Sequence, residues 1–108
     1  MGRDTAARIT PAIGAVFLLT LGCGPVRAND MLAYGQHLAG ECTSCHRIDG
    51  KDKGIPSIIG WHEDSFIAVL KSYKSGEREN KAMVSVARSL DDQQMQALAT
   101  YFGSLRLR

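Results

Sequence analysis

Five consecutive residues, Cys42-Thr43-Ser44-Cys45-His46, constrain this chain more than any other stretch. They read C-x-x-C-H, the attachment pattern of a c-type haem. Two thiols three positions apart lie about one helical turn apart, so both reach the vinyl groups on one edge of a porphyrin. The adjoining imidazole then falls under the ring centre as a proximal iron ligand. A redox dithiol of the thioredoxin kind would need a βαβ setting, and a structural zinc site a second pair of ligands.

The first 28 residues read as a separate unit. Arg3 and Arg8 give a basic start, Pro11 to Leu21 an apolar block, and Val26-Arg27-Ala28 a small-x-small exit. That is the pattern of a secretory signal peptide. The apolar block is shorter than the roughly 20 residues of a membrane-spanning helix. The expectation is therefore a signal peptide at 1–28 and one domain at 29–108, delivered to the periplasm. The alternative exit is Leu19-Thr20-Leu21-Gly22-Cys23, similar to a lipoprotein cleavage box but with Thr20 where a branched aliphatic residue is usual. In that case Cys23 would carry a lipid anchor.

Removing 1–28 takes away Arg3, Arg8, Arg27 and Asp4 and leaves ten basic and ten acidic residues. A neutral domain without a basic patch argues against nucleic-acid binding. Of the three cysteines, only Cys42 and Cys45 then remain. A domain of this size encloses little core and commonly needs staples. A haem held through both thiols would act as one, because it supplies a broad apolar disc for side chains to pack around.

The rest of the domain carries helical signals and no strand pattern. Asp30 is placed to cap a helix starting at Met31 and running to the haem motif. Leu32, Gly35, Leu38, Ala39 and Cys42 share one face of it. Gly35 weakens a helix by about 1 kcal/mol relative to Ala, and its use is to let another helix come close. Ile55 to Trp61 is apolar but broken by Pro56 and Gly60, so it reads as irregular backbone. Glu63-Asp64-Ser65 starts a second helix with stripe Phe66, Ile67, Val69, Leu70 and Tyr73, ended by Gly76. A charged loop leads to Met83-Val84-Ser85-Val86-Ala87, read as non-repetitive backbone with at most a short turn of helix. Asp91 and Gln94 form a capping-box pair before the stripe Met95, Leu98, Ala99, Phe102 and Leu105. Arg106 and Arg108 would complement that helix's dipole. His37 and His62 read as solvated.

These features, in this order, resemble the class I cytochromes c, nearer to the small bacterial cytochromes of the c4 and c553 kind. They are Gly35, the motif Cys42 to His46, Pro56-x-Ile58-x-Gly60, Tyr73 to Arg78, Met83, and Leu90-Asp91 through Phe102. The resemblance implies an all-α fold: a small cytochrome c fold with three main helices plus irregular loops wrapped around one covalent haem. It implies a methionine as sixth iron ligand. Met31 starts the first helix and Met95 lies on an apolar stripe, so Met83 is the choice, with His62 as rival. It also implies that the Pro56 carbonyl accepts from Nδ1 of His46, and that Gly35 meets Tyr101 or Phe102. Trp61 is a candidate for the haem edge and a propionate, and Tyr73 and Arg78 are further candidates for the propionates.

An iron closed by His46 and Met83 has no position open to substrate. The expectation is a periplasmic electron-transfer protein rather than an enzyme, with one haem c linked through Cys42 and Cys45. Its partners would be redox proteins, a donor dehydrogenase and an acceptor oxidase or reductase. Two other readings stand beside it. One is a dedicated haem subunit of a larger oxidoreductase, such as a flavocytochrome sulfide dehydrogenase, which Lys74 to Arg78 and Met83 to Ala87 also resemble. The other is a gas-binding or peroxide-reacting haem protein with an open iron position.

Overall fold

The computed structural model describes residues 2, 9–17 and 22–106. Among these, five helices form and no strand does: α1 Ala28–Leu38, α2 Gly40–Thr43, α3 Glu63–Ser75, α4 Lys81–Arg88 and α5 Asp92–Ser104. The all-helical expectation holds, with α1, α3 and α5 as the three long elements.

α1 begins earlier than the sequence suggests. Its cap is Arg27 rather than Asp30. Asp30 instead works from inside the first turn, where its carboxylate accepts the Arg27 backbone N–H at 3.3 Å. An acid in the first turn serves the same unpaired donors and the same dipole as a capping residue. The helix also does not run unbroken into the cysteine motif. It pauses at Ala39 and resumes as the one-turn α2, with Gly40, a weak helix former, at the break.

The frame of the fold is the crossing of α1 with α5. A Cβ placed on Gly35 would stand 2.0 Å from the Ala97 carbonyl oxygen and 2.7 Å from Tyr101 Cβ. Only a bare glycine lets the two backbones meet there. The partners are Ala97 and Tyr101, and Ala97, outside the expected stripe, is fully buried for this reason.

α5 starts on the expected capping box. Asp91 accepts from the Gln94 backbone N–H at 2.7 Å, and Gln94 accepts from that of Asp91 at 3.0 Å. Met95, Leu98, Ala99 and Phe102 are buried along it. The end differs from expectation. The helix stops at Ser104, Leu105 is extended, and no basic residue lies in the last turn. Arg106 is beyond it and Arg108 lies outside the described residues.

α3 lies against this stripe. Phe66 and Phe102 stack with centroids 5.7 Å apart, and Trp61 meets Phe66 edge-on at 6.4 Å. At the rim, Glu63 Oε2 accepts from Gln96 Nε2 at 2.5 Å and from Thr100 Oγ1 at 3.2 Å. Gly76 closes α3 in the left-handed conformation, φ 84°. The irregular Ile55–Trp61 stretch is tied to the end of α5 by the Gly60 N–H, which donates to the Phe102 carbonyl at 2.8 Å.

Residues 9–17 and 22–27 form no regular structure. Ile9, Ile13, Val16 and Phe17 are 83 to 90% exposed. Residues 1, 3–8 and 18–21 of the expected signal peptide lie outside the described residues, as do Leu19 to Leu21 of the alternative cleavage box. No helix among the described residues is long and apolar enough to cross a membrane.

Candidate haem site

A cavity of about 340 Å³ opens between α2, α3, α4 and the Ile55–Trp61 stretch. Its floor is Phe66, Leu70 and Leu98, all buried against the core. Cys42, Cys45, His46, Pro56, Trp61 and Met83 all line it. The six residues singled out from the sequence therefore share one cavity, although they span more than forty positions of the chain.

One wall is set by the motif itself. α2 and the turn after it carry Cys42, Cys45 and His46, and the His46 N–H donates to the Cys42 carbonyl at 2.8 Å. The imidazole is buried, and its Nδ1 lies 2.7 Å from the Pro56 carbonyl oxygen. A carbonyl only accepts, so the proton belongs on Nδ1. That fixes the ring and leaves the Nε2 lone pair free. Cys42 is half-buried and Cys45 exposed, and neither is in a disulfide. Burial, and secondly the charge of Glu41, push the Cys42 thiol up to about 11, so in the haem-free chain it is a neutral part of the wall.

Met83 lines the cavity from α4 and is half-buried. The sequence predicts non-repetitive backbone or a short turn of helix for this residue. It stands instead at the third position of an eight-residue helix. The reason is Asn80, whose side-chain oxygen accepts the Met83 backbone N–H at 3.0 Å. An asparagine cap satisfies one of the free N–H groups that otherwise discourage so short a helix. Asn80 also lines the cavity. In sequence Asn80 sits at the end of a charged stretch and is followed by Lys81 rather than by an apolar residue, so the usual start signal is masked. Two residues beyond the other end of α4, the Leu90 carbonyl accepts from the Lys74 ammonium.

The remaining methionines that the structure describes lie elsewhere: Met95 is fully buried in the core, and Met31 is on α1 away from the cavity. His62 is exposed at the start of α3 and does not line it. Tyr73 and Arg78 do, with the guanidinium 5.9 Å from the centre of the Tyr73 ring.

These walls suit a haem. Two unpaired thiols stand at one side, an imidazole with a free Nε2 beside them, apolar side chains form the floor, and a thioether comes from a separate helix. The class is thus an all-α protein shaped to hold a covalently attached macrocycle.

Comparison with known proteins agrees. The family model for cytochrome c matches residues 32–106. The chain is 32% identical over 93 residues to cytochrome c4 of Pseudomonas aeruginosa, covering 83% of this chain and 46% of that protein. It is 32% identical over 72 residues to the cytochrome subunit of sulfide dehydrogenase of Chlorobaculum tepidum, 66% of each chain. It is 31% identical over 83 residues to cytochrome c-553 of Helicobacter pylori, covering 73% of this chain and 86% of that one. The chain spans about half the length of the cytochrome c4. It belongs to the cytochrome c family. Proteins of this family bind haem c covalently, and their part in chemistry is electron transfer rather than catalysis.

Proposed function

We propose that this chain is a periplasmic one-electron carrier with a single haem c, held through Cys42 and Cys45 and ligated by His46 and Met83. The observation that carries the reading is that His46, with Nδ1 committed to the Pro56 carbonyl at 2.7 Å, and Met83, from a separate helix, line one apolar cavity. When bound, the haem supplies a one-electron iron couple. Every other part of the function is the work of the chain. Cys42 and Cys45 hold the group by one edge. Pro56 keeps His46 in one tautomer and orientation. Met83 would supply a thioether as the second protein ligand, which favours the reduced state relative to a second imidazole. Phe66, Leu70 and Leu98 keep water from the buried side. Trp61, Tyr73 and Arg78 are the polar-tipped groups on the walls that suit the propionates.

Export rests on residues 1–28 as a signal peptide. The four large apolar side chains at Ile9, Ile13, Val16 and Phe17 stand in solvent, as suits residues of a signal peptide that pack on nothing in the folded unit. The mass of the native protein tests cleavage after Ala28, lipid at Cys23 and covalent haem together. Met83→Ala tests the ligand set: the near-infrared sulfur-to-iron absorption should vanish and the reduction potential should fall. An unchanged spectrum would leave the iron closed by some other group.

A second reading has its own support. The similarity to the cytochrome subunit of a sulfide dehydrogenase covers two thirds of this chain, and Ile55, on the cavity wall, is 41% exposed. A haem subunit docked on a flavoprotein would use such an apolar rim. Native purification separates the two: a carrier runs as a monomer, and a subunit brings a flavoprotein with it.

A further inference from the structure

We propose that Asn80 is the positioning residue for the sixth ligand; this rests on the reading of Met83 as that ligand. Asn80 Oδ1 accepts the Met83 N–H at 3.0 Å, and the Asn80 carbonyl accepts the Val84 N–H at 2.8 Å. The two bonds fix both the start of α4 and the backbone of the residue that faces the cavity. α4 is only eight residues long, too short to be stable by propensity alone. The chain before it, Glu77 to Asn80, is exposed and makes no helix. The N-terminal turn of α4 is thus where a ligand-off state is easiest to reach, and the Asn80 side chain is the latch that opposes it. In this role it acts through Met83 and touches no reacting atom.

The prediction follows from the energy of a helix cap. Loss of an asparagine cap weakens a helix start by about a factor of five in equilibrium terms. The readout is binding of exogenous imidazole to the ferric holoprotein, which competes with Met83 for the iron. Asn80→Ala should raise the apparent imidazole affinity about fivefold. Asn80→Ser keeps a side-chain acceptor at capping distance and should stay within about twofold of the parent. Asn80→Gln keeps the amide but not the capping geometry, and should behave like Ala. The pattern Ala and Gln together, Ser with the parent, is the expected result. Imidazole affinity unmoved in Asn80→Ala, with only the global unfolding midpoint lowered, would overturn the proposal and leave Asn80 a purely structural cap. Rescue by Gln as well as by Ser would also overturn it. The parent reading fails separately: if Met83→Ala retains the sulfur-to-iron band, Met83 is not the ligand and the proposal falls with it.

Discussion

The two sides of the cavity are built in opposite ways. On the His46 side, the two thiols, the imidazole and its backbone all come from five consecutive residues, and one carbonyl ten positions on, at Pro56, completes the wall. On the Met83 side, nothing local identifies the residue. It depends on a short helix capped by Asn80 at its start, with Lys74 bonded to the Leu90 carbonyl just beyond its end. The first wall is fixed by the motif and one bond ten positions along the chain, and the second by a three-residue helix cap, worth about 1 kcal/mol, together with the packing of α4 on α3. With the proposed ligand set, the His46 side should tolerate perturbation, and the Met83 side is where ligation, and with it the potential, would be altered.

The largest effect should come from removing what the two walls share. A haem would fill the cavity of about 340 Å³ and cover its apolar lining, and a domain this small has little other core to hold it together. Cys42→Ala/Cys45→Ala protein, unable to retain haem, should be largely unfolded by circular dichroism. A cooperative thermal transition in it would mean the walls stand without the disc.

Gly35→Ala comes next, because it attacks the crossing that supports both sides. The gain in helix propensity is about 1 kcal/mol, but the new Cβ would sit 2.0 Å from a backbone oxygen. Main-chain atoms of a helix cannot step aside as a side chain can, so the clash wins. Destabilisation of about 3 kcal/mol or more is expected, read as a lowered unfolding midpoint of the holoprotein. A midpoint equal to the parent's would show that α1 and α5 can slide apart freely.

Pro56→Ala should do much less, since the acceptor for His46 is a main-chain oxygen that alanine also possesses. The expected loss is under about 1 kcal/mol, from the freer unfolded chain, with the iron spectrum unchanged. A large spectral change would make the proline ring itself part of the His46 wall. The smallest effect belongs to the exposed loop beyond His46. The Arg47 guanidinium holds the Asp49 carboxyl well below the usual carboxylate range. A depressed carboxyl contributes stability above its unfolded pKa and loses it as the pH falls through the folded value. Asp49→Asn should therefore lower the unfolding midpoint at neutral pH, though only slightly because the pair is in water, and its difference from the parent should close as the pH falls through the folded value of Asp49.

Much of the fold was legible because its signals are local. The Asp91–Gln94 box, the Gly76 stop and the stripes of α3 and α5 each follow from residues within a turn or two of one another. The differences from the sequence reading have separate causes. Asp30 was read as a cap because a capping residue and a first-turn acid look alike in sequence, and the structure uses it as the latter. Met83 was put in irregular backbone because Asn80 sits among charges that resemble a loop. Ala97 escaped notice because its burial is imposed by a glycine more than sixty residues away.

The sequence alone determined the cofactor chemistry, the helical class and the identity of the candidate ligands. The haem motif depends on helical period and the reach of side chains along one stretch of chain, the helical class on periodicity, and the choice of Met83 on the resemblance to the class I cytochromes c. Only the tertiary structure decided how the candidate ligands are presented. The 2.7 Å bond from His46 to Pro56 and the burial of the cavity floor arise where separate segments meet, and the locally capped helix that carries Met83 is brought to the cavity by its packing on α3. Such contacts are set by packing around α1 and α5, and packing is a property of the whole chain.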